Sequence, residues 1–197
     1  MFNTFSRRQF LAVAAAAAVV PTTSMALTES QARTLVDRLV SDINAIIASG
    51  KSESAMIADF ASIFDRYADV PIIARTAMGA DWRAATADQR TRFVSAFRDY
   101  VASKYGRRFR EFIGGRIEVT ETATVPNGVE VRARAILQGQ SPFEVSFVIS
   151  DGSGQAKFIN MFIEGINMIT SERTEIGAML DRRRGDIDGL IADLEAL

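Results

Sequence analysis

The sequence from Arg75 to Ile113 reads RTAMGADWRAATADQRTRFVSAFRDYVASKYGRRFREFI. Thr86 and Gln89 have the spacing of a capping box, in which each side chain satisfies a backbone N–H at the start of a helix. From there the sequence predicts a helix of roughly 28 residues, about 42 Å long. Gly114-Gly115 ends it, because glycine readily takes the left-handed conformation after a helix.

Large apolar side chains recur along this helix at steps of three and four, which places them on one face. They are Phe93, Phe97, Tyr100, Val101, Tyr105, Phe109 and Phe112. The arginines fall mostly on the remaining surface. So wide an aromatic face must lie against another layer of the protein.

Three shorter amphipathic helices are predicted before this stretch. They run from Thr28 to Ser49, from Ser52 to Tyr67 and from Pro71 to Ala77. The first opens on a second capping box, and proline suits the first turn of the third. Residues 28–84 are therefore predicted to form a helical subdomain.

After Gly115 the hydrophobic period changes from 3.6 to 2, which is typical of strands. Four strands are predicted, joined by short turns rich in glycine, asparagine and proline. They are Ile117–Ala123, Val129–Leu137, Phe143–Ile149 and Ala156–Ile163. In the fourth, simple alternation places Phe158 and Phe162 on one face. Two helices follow, from Met168 to Arg184 and from Asp186 to Leu197.

This order of elements predicts an α+β fold, with helices packed on one face of a curved four-stranded antiparallel sheet. A chain of 197 residues with 48% hydrophobic and 24% charged residues can bury a sizeable core. Residues 27–197 are predicted to form a single domain.

The composition excludes several classes of function. The net charge of −1 gives no indication of nucleic-acid binding. The chain contains neither His nor Cys, which removes disulfides, thiolate or imidazole metal sites and His-based catalytic triads. No metal site and no cofactor is predicted.

The N-terminus is predicted to be an export signal. Ser6-Arg7-Arg8-Gln9-Phe10-Leu11 has the twin-arginine pattern and precedes the apolar run Ala12–Val20. Ser24-Met25-Ala26 offers a cleavage site, so residues 1–26 form the predicted signal peptide. A general secretory signal is the alternative. The apolar run is shorter than the roughly 20 residues that span a bilayer, so we expect a periplasmic protein that does not cross the membrane.

Carboxylates are the remaining candidates for catalysis. Asp65, Asp69, Asp81 and Glu164 could perform acid–base chemistry if their surroundings separated their pKa values. Helix caps and structural ion pairs explain the same residues, and we predict no catalytic residue. A small periplasmic α+β enzyme with an Asp or Glu base remains the alternative function, and an adaptor with a filled core is a third.

The second predicted strand carries small residues on one face. Val129, Val131, Ala133 and Ala135 lie opposite the long aromatic helix, which leaves volume between the layers for an apolar ligand. Alternatively, the large side chains interdigitate over the small ones at normal packing density. The pattern alone leaves both possibilities open.

Two groups of residues resemble the MlaC-type, or toluene-tolerance, family over nearly all of the chain from about Thr28 to Leu194. The first group is Phe64-Asp65, Ile72-Ile73-Ala74-Arg75, Met78-Gly79, Trp82-Arg83, Ala85-Thr86, Gln89-Arg90, Phe93 and Phe97. The second is Lys157-Phe158-Ile159-Asn160-Met161-Phe162-Ile163-Glu164-Gly165-Ile166, Arg173, Gly189-Leu190-Ile191 and Asp193-Leu194. The chain departs from the family pattern at Ala156-Lys157, Asn160 and Glu172-Arg173.

The resemblance implies a periplasmic phospholipid carrier with an NTF2-like sheet and a deep apolar pocket for acyl tails. It implies two partners in the maintenance of outer-membrane lipid asymmetry: the lipid-binding subunit of an inner-membrane ABC transporter and an outer-membrane lipoprotein complex. The expected pocket residues are Trp82, Phe93, Phe97, Tyr100, Val131, Ala133, Phe143, Val145, Phe147, Phe162 and Met168. The expected contacts to the lipid head group are Arg75, Arg107 and Arg108.

Overall fold

The structure, a computed structural model, describes residues 27–197 except for the side chains of residues 109 and 110. The predicted signal peptide lies outside the described residues. The α+β fold is confirmed. The helices are α1 (Glu29–Ile47), α2 (Glu53–Tyr67), α3 (Val70–Met78), α4 (Ala87–Gly106), α5 (Met168–Arg182) and α6 (Ile187–Glu195), with 3₁₀ helices at Gly79–Arg83 and Arg107–Phe112. The strands are β1 (Arg116–Val125), β2 (Gly128–Ile136), β3 (Phe143–Ser150), β4 (Lys157–Ile163) and β5 (Ile166–Asn167).

Both predicted capping boxes are present. At the start of α1, the Gln31 N–H donates to Thr28 Oγ1 at 3.2 Å, and the Thr28 N–H donates to Gln31 Oε1 at 2.9 Å. Thr86 and Gln89 make the same pair of bonds at the start of α4, at 3.2 and 3.0 Å. These bonds satisfy backbone donors that the first helical turn leaves unpaired, and so fix where each helix begins.

The prediction of one long helix up to Ile113 is wrong. Helix α4 has 20 residues and ends at Gly106, after which the chain continues as the 3₁₀ helix Arg107–Phe112. A Cβ atom at Gly106 would stand 3.0 Å from Cγ1 and 3.1 Å from Cα of Ile57 in α2. Close approach of the two helices therefore favours glycine at this position, and glycine is a poor helix former. The tighter 3₁₀ geometry then carries the chain towards β1.

The five strands form one antiparallel sheet in the order β1-β2-β3-β4-β5. The four predicted strands are confirmed as a meander, and β5 adds a fifth. Glu164 (φ 51°) and Gly165 (φ 77°) form the two-residue turn between β4 and β5, both in the left-handed conformation that such hairpin turns require. With only two residues, β5 is too short to produce an alternating pattern.

A β-bulge in β4 corrects the predicted orientation of its side chains. Ile159 is the extra residue of the bulge, so the alternation of the strand shifts by one residue there. Phe158 consequently shares the inner face with Met161. Phe162 lies on the outer face, with Ser146 of β3 as its cross-strand neighbour. The prediction that Phe158 and Phe162 share a face is therefore wrong.

The helices cover the inner face of the sheet. Helix α1 lies over β1 and β2, where the Asn44 side chain both donates to the Ile117 carbonyl and accepts from the Ile117 N–H, each at 3.0 Å. Helix α4 packs against α2, α3 and α6, and α5 packs against α3 and β4. None of the helices in residues 27–197 combines the length and apolarity needed to span a bilayer.

Candidate functional site

A cavity of about 420 Å³ lies between the inner face of the sheet and helices α1, α2, α4 and α5. Its volume falls within the range of small-molecule sites. A methylene group takes roughly the space of one water molecule, about 30 Å³, so the cavity has room for about 14 such groups. That is close to the volume of one acyl chain.

Helix α4 forms one wall of the cavity. Phe97, Val101 and Tyr105 follow one another at steps of four residues and therefore share a face. Arg108, in the following 3₁₀ helix, continues this wall to the surface. The wall thus passes from the fully buried Phe97 to an exposed guanidinium.

The opposite wall is the inner face of β3 and β4. Val145 pairs with Ile163 and Phe147 pairs with Met161, and all four line the cavity. Because of the bulge, Phe158 belongs to the same wall. The sheet therefore contributes a continuous apolar surface.

The structure brings together some of the predicted site residues. Those that line the cavity are Phe97, Phe143, Val145, Phe147, Met168 and Arg108. They come from α4, the 3₁₀ helix that follows it, β3 and α5. These elements meet in space although they are far apart in the sequence.

Val131 and Ala133 do not line the cavity. They share the inner face of the sheet with its lining residues, but they belong to β2, on which α1 packs. They are 0% and 1% exposed. The small residues therefore accommodate a packed helix, as in the filled-core alternative, and the cavity lies beyond them towards β3 and β4.

Phe93, Tyr100 and Trp82 also lie away from the cavity. Phe93 continues the Phe97–Tyr105 row by one further turn of α4, where it is buried and does not line the cavity, and Tyr100 projects at an angle to that row and is also buried. Trp82 is half-buried in the 3₁₀ helix before α4, where the Arg90 guanidinium stands 5.5 Å from its ring centroid. Phe162 is excluded by its position on the outer face of the sheet.

Two of the three predicted head-group arginines are not at the cavity. Arg75 is an exposed residue on α3. Arg107 donates to Ser103 Oγ at 2.9 Å and to the Leu197 carbonyl at 3.1 Å, so its side chain is directed towards the C-terminus. Arg108 is the predicted arginine that lies in the cavity wall.

Several lining residues were not predicted. Leu39 and Ile43 of α1 and Phe60, Ile63 and Phe64 of α2 all contribute to the wall. Each belongs to an apolar stripe that the sequence shows plainly. Periodicity identifies the buried face of a helix but not the surface that it meets, so these residues could not be assigned to a cavity.

Glu172 is the least expected residue of the wall. It is 3% exposed, and its Oε1 accepts from Lys104 Nζ at 2.9 Å and from the Tyr105 hydroxyl at 2.5 Å. Its Oε2 is buried and has no hydrogen-bond partner among the described residues. Leaving such a group unsatisfied costs about 1–3 kcal/mol.

Burial and hydrogen bonding perturb the groups around Glu172. Burial raises the pKa of Tyr105 well above its usual value, and the hydrogen bond to Glu172 adds to this. Burial alone would lower the pKa of Lys104, but its bonds to Glu175 and Glu172 outweigh burial and raise that pKa. Burial would raise the pKa of Glu175, yet the bonds from Lys104 and Tyr100 lower it. In this group of side chains, Lys104 and Glu175 are thus charged, and Tyr100 and Tyr105 are neutral.

Tyrosine titration tests this cluster. Tyr67, Tyr100 and Tyr105 are all the tyrosines in the chain, and all three have raised pKa values in the folded protein, with burial as the largest cause. The folded state stabilises the neutral form of these phenols. Their contribution to stability is therefore complete below pH 10, near the pKa of tyrosine in the unfolded chain, and is lost as the pH rises above that value. We expect ultraviolet absorbance to show far less tyrosinate above pH 10 in the folded protein than in urea. Equal tyrosinate absorbance in the folded protein and in urea would contradict the raised tyrosine pKa values.

Exposed charges surround the mouth of the cavity. Arg108 and Glu111 come from the 3₁₀ helix after α4, and Glu164 comes from the β4–β5 turn. Two large apolar side chains stand beside them in the sequence, Ile113 at 52% and Ile166 at 60% exposed. The mouth is therefore polar and open, in contrast with the interior.

Two of the other carboxylates considered for catalysis, Asp65 and Asp69, have structural partners. Asp65 accepts from Arg98 Nε at 2.8 Å. Asp69 is the N-cap of α3 and accepts from the Ile72 N–H at 3.2 Å. Residues 27–197 contain no cluster of acidic side chains able to hold a metal ion.

Comparisons with known proteins agree with this architecture. The family model described as MlaC protein matches residues 33–196. The structure is also similar to that of a phospholipid-binding protein from Ralstonia solanacearum, which was solved in complex with a phospholipid. The TM-score is 0.69 at 17% sequence identity, over 87% of this chain and 96% of that chain. At this level of identity the likeness concerns the fold.

Proposed function

The chain belongs to the MlaC family, and from that premise we propose that it is a soluble periplasmic phospholipid carrier. An acyl chain occupies the apolar cavity, and the head group remains at the charged mouth. The carrier moves lipid between the outer membrane and an inner-membrane ABC transporter. Its partners are the lipid-binding subunit of that transporter and an outer-membrane lipoprotein complex.

The cavity is the observation that carries this proposal. Burying about 14 methylene groups at about 0.8 kcal/mol each provides roughly 11 kcal/mol, which exceeds the lower estimates of the cost of association. Most of the lining side chains are apolar, and the exposed charged ones, Arg108, Glu111 and Glu164, lie at the mouth. A lipid with an apolar acyl tail and a charged head group matches this division.

A carrier needs no catalytic group. Asp65 and Asp69 already form an ion pair and a helix cap, and Glu164 lies in a hairpin turn at the mouth. The MlaC family and the phospholipid-binding structural relative also favour a binding protein over the enzyme alternative.

Gentle purification tests the proposal directly. The full-length chain is expressed in a Gram-negative host, isolated from the periplasmic fraction without detergent, and analysed by native mass spectrometry and by lipid extraction. We expect intact phospholipid at no more than about one molecule per chain, because the cavity is too small for the acyl chains of two phospholipids. Absence of lipid would refute the carrier, and release of cleaved lipid products would favour the enzyme. A transfer assay between two vesicle populations then measures shuttling.

A further inference from the structure

Glu172 lies farther inside the cavity than the charged residues of the mouth. It is 3% exposed, and it accepts a hydrogen bond from Tyr105, which also lines the cavity. Tyr105 precedes the exposed Arg108 by three positions, about 4.5 Å along an α-helix and somewhat more along a 3₁₀ helix. Burial and the bond to Glu172 raise the pKa of Tyr105, and the positive charge of Arg108 acts on the same hydroxyl in the opposite direction. One ligand can therefore contact Arg108 at the mouth and Glu172 just inside it.

The carboxylate of Glu172 can accept a further hydrogen bond. Lys104 and Tyr105 both donate to its Oε1, whereas Oε2 is buried and has no hydrogen-bond partner among the described residues. An ionised carboxylate accepts hydrogen bonds and donates none, so only a donor can satisfy Oε2. The terminal torsion of a glutamate is broad, so a small rotation turns Oε2 towards a ligand in the cavity.

The part of a phospholipid that reaches the depth of Glu172 is the glycerol. The phosphate suits the Arg108 guanidinium, and the glycerol follows it on the inner side, before the acyl chains. A glycerol whose two remaining oxygens are both esterified offers a carboxylate acceptors and no donor. A free hydroxyl on the carbon next to the one that carries the phosphate places an O–H donor a few bonds inward of the phosphorus. Oε2 therefore favours a phospholipid with a free glycerol hydroxyl.

The volume of the cavity favours the same lipid. Its 420 Å³ hold about 14 methylene groups, which is close to one acyl chain, and a second chain of similar length would need about as much space again. A phospholipid with a free glycerol hydroxyl has only one acyl chain. The two observations are independent, because the volume depends on the whole wall and the hydrogen bond on a single oxygen atom.

We propose that the preferred cargo is a monoacyl phospholipid, with its single chain in the cavity, its phosphate on Arg108 and its free glycerol hydroxyl donating to Glu172 Oε2. This hydrogen bond has a charged acceptor, and such bonds are about twice as strong as those between neutral groups. A diacyl phospholipid has an ester in place of that hydroxyl and brings a second chain for which the cavity has no room. The inference rests on the proposed function, because it requires a phospholipid to enter the cavity.

Three lipids with the same head group and the same acyl chain test this inference in the delipidated protein. They are the monoacyl phospholipid, its analogue without the glycerol hydroxyl, and the diacyl phospholipid, all with chains short enough to stay monomeric. Competition against a fluorescent fatty-acyl probe measures their affinities. We expect the monoacyl lipid to bind about tenfold more tightly than either of the others, which corresponds to about 1.4 kcal/mol. Equal affinity for the analogue without the hydroxyl, or equal or tighter binding of the diacyl lipid, would overturn the inference.

Two matched variants locate the hydrogen bond. Glu172→Gln keeps the shape of the side chain and replaces a charged acceptor by a neutral one, so we expect the preference for the hydroxyl to shrink to about threefold or less. Glu175→Gln is the control, because Glu175 also pairs with Lys104 but does not line the cavity, and it should keep the full preference. An undiminished preference in Glu172→Gln would overturn the inference. If that variant does not fold, the three-lipid comparison on the unmodified chain decides alone.

The same measurements separate this inference from the proposed function. Binding of none of the three lipids would refute the carrier itself, whereas tighter binding of the diacyl lipid would overturn only the inference and leave the carrier intact. Mass spectrometry of the diacyl sample after incubation shows whether that lipid has been cleaved. Appearance of the monoacyl lipid there would identify it as a reaction product instead of cargo, which would overturn the inference and favour the enzyme.

Discussion

Ile163→Trp should reduce the amount of bound phospholipid at least about tenfold while the protein remains folded. Ile163 is half-buried, lines the cavity and pairs with Val145 across the sheet. A larger indole ring at this position occupies space that the acyl chain would fill. Each methylene excluded from the cavity forfeits about 0.8 kcal/mol, so the loss of only two is enough for a tenfold effect. Native mass spectrometry of the purified protein measures the lipid load.

The neighbouring residue provides the control. Phe162→Trp introduces the same ring one position earlier in β4, but on the outer face of the sheet opposite Ser146. This variant should carry the normal amount of lipid. Equal loads in the two variants, whether normal or reduced, would show that the inner face of β4 is not the wall of the lipid site.

The small residues of β2 would be poor probes of the same site. Ala133 lies on the inner face but is 1% exposed beneath α1. A tryptophan there overfills a packed layer, and overpacking of a core typically costs about 1–3 kcal/mol or more. The variant would therefore lose stability whether or not it bound lipid, and a reduced lipid load could not be assigned to the cavity. A shared sheet face therefore does not establish a shared role.

Local rules predicted the elements whose causes are local. The capping boxes at Thr28 and Thr86 fix helix starts through side chains three residues away, and both are present. Alternation and turn residues likewise identified the four main strands. The errors concern contacts between distant parts of the chain. The end of α4 lies where Gly106 packs closely on Ile57 of α2, and the bulge at Ile159 lies in the pairing of β4 with β3.

The same distinction applies to the candidate site. The apolar stripes of α1 and α2 were evident, but only the tertiary packing shows that Leu39 and Phe60 border a cavity. The position of Glu172 in the wall was even harder to predict from the sequence, because a glutamate in the first half of a helix ordinarily lies on the solvated face. Its burial against Lys104 and Tyr105 arises from packing between helices about 70 residues apart in the chain, and no short-range pattern encodes it.

The aromatic residues divide into those that stabilise the fold and those that border the cavity, and Phe93→Ala measures the first group. Phe93 is 0% exposed, packs on Phe97 with a centroid distance of 5.7 Å, and does not line the cavity. We expect the lipid-free protein to lose about 3–5 kcal/mol of unfolding free energy, the range for truncating a fully buried phenylalanine. Urea denaturation followed by circular dichroism measures this loss.

Phe143→Ala is the counterpart on the cavity wall. Phe143 is half-buried and lies edge-on to Phe112 at 6.2 Å, and one side of its ring faces the cavity. Because fewer protein atoms surround it, its truncation should cost the lipid-free protein less than the Phe93 change, while it weakens lipid binding more. The reverse order, with Phe143→Ala the more destabilising and Phe93→Ala the more harmful to binding, would mean that the ligand contacts the Phe93 end of α4. Comparing the two variants therefore separates core packing from ligand contact within a single aromatic stripe.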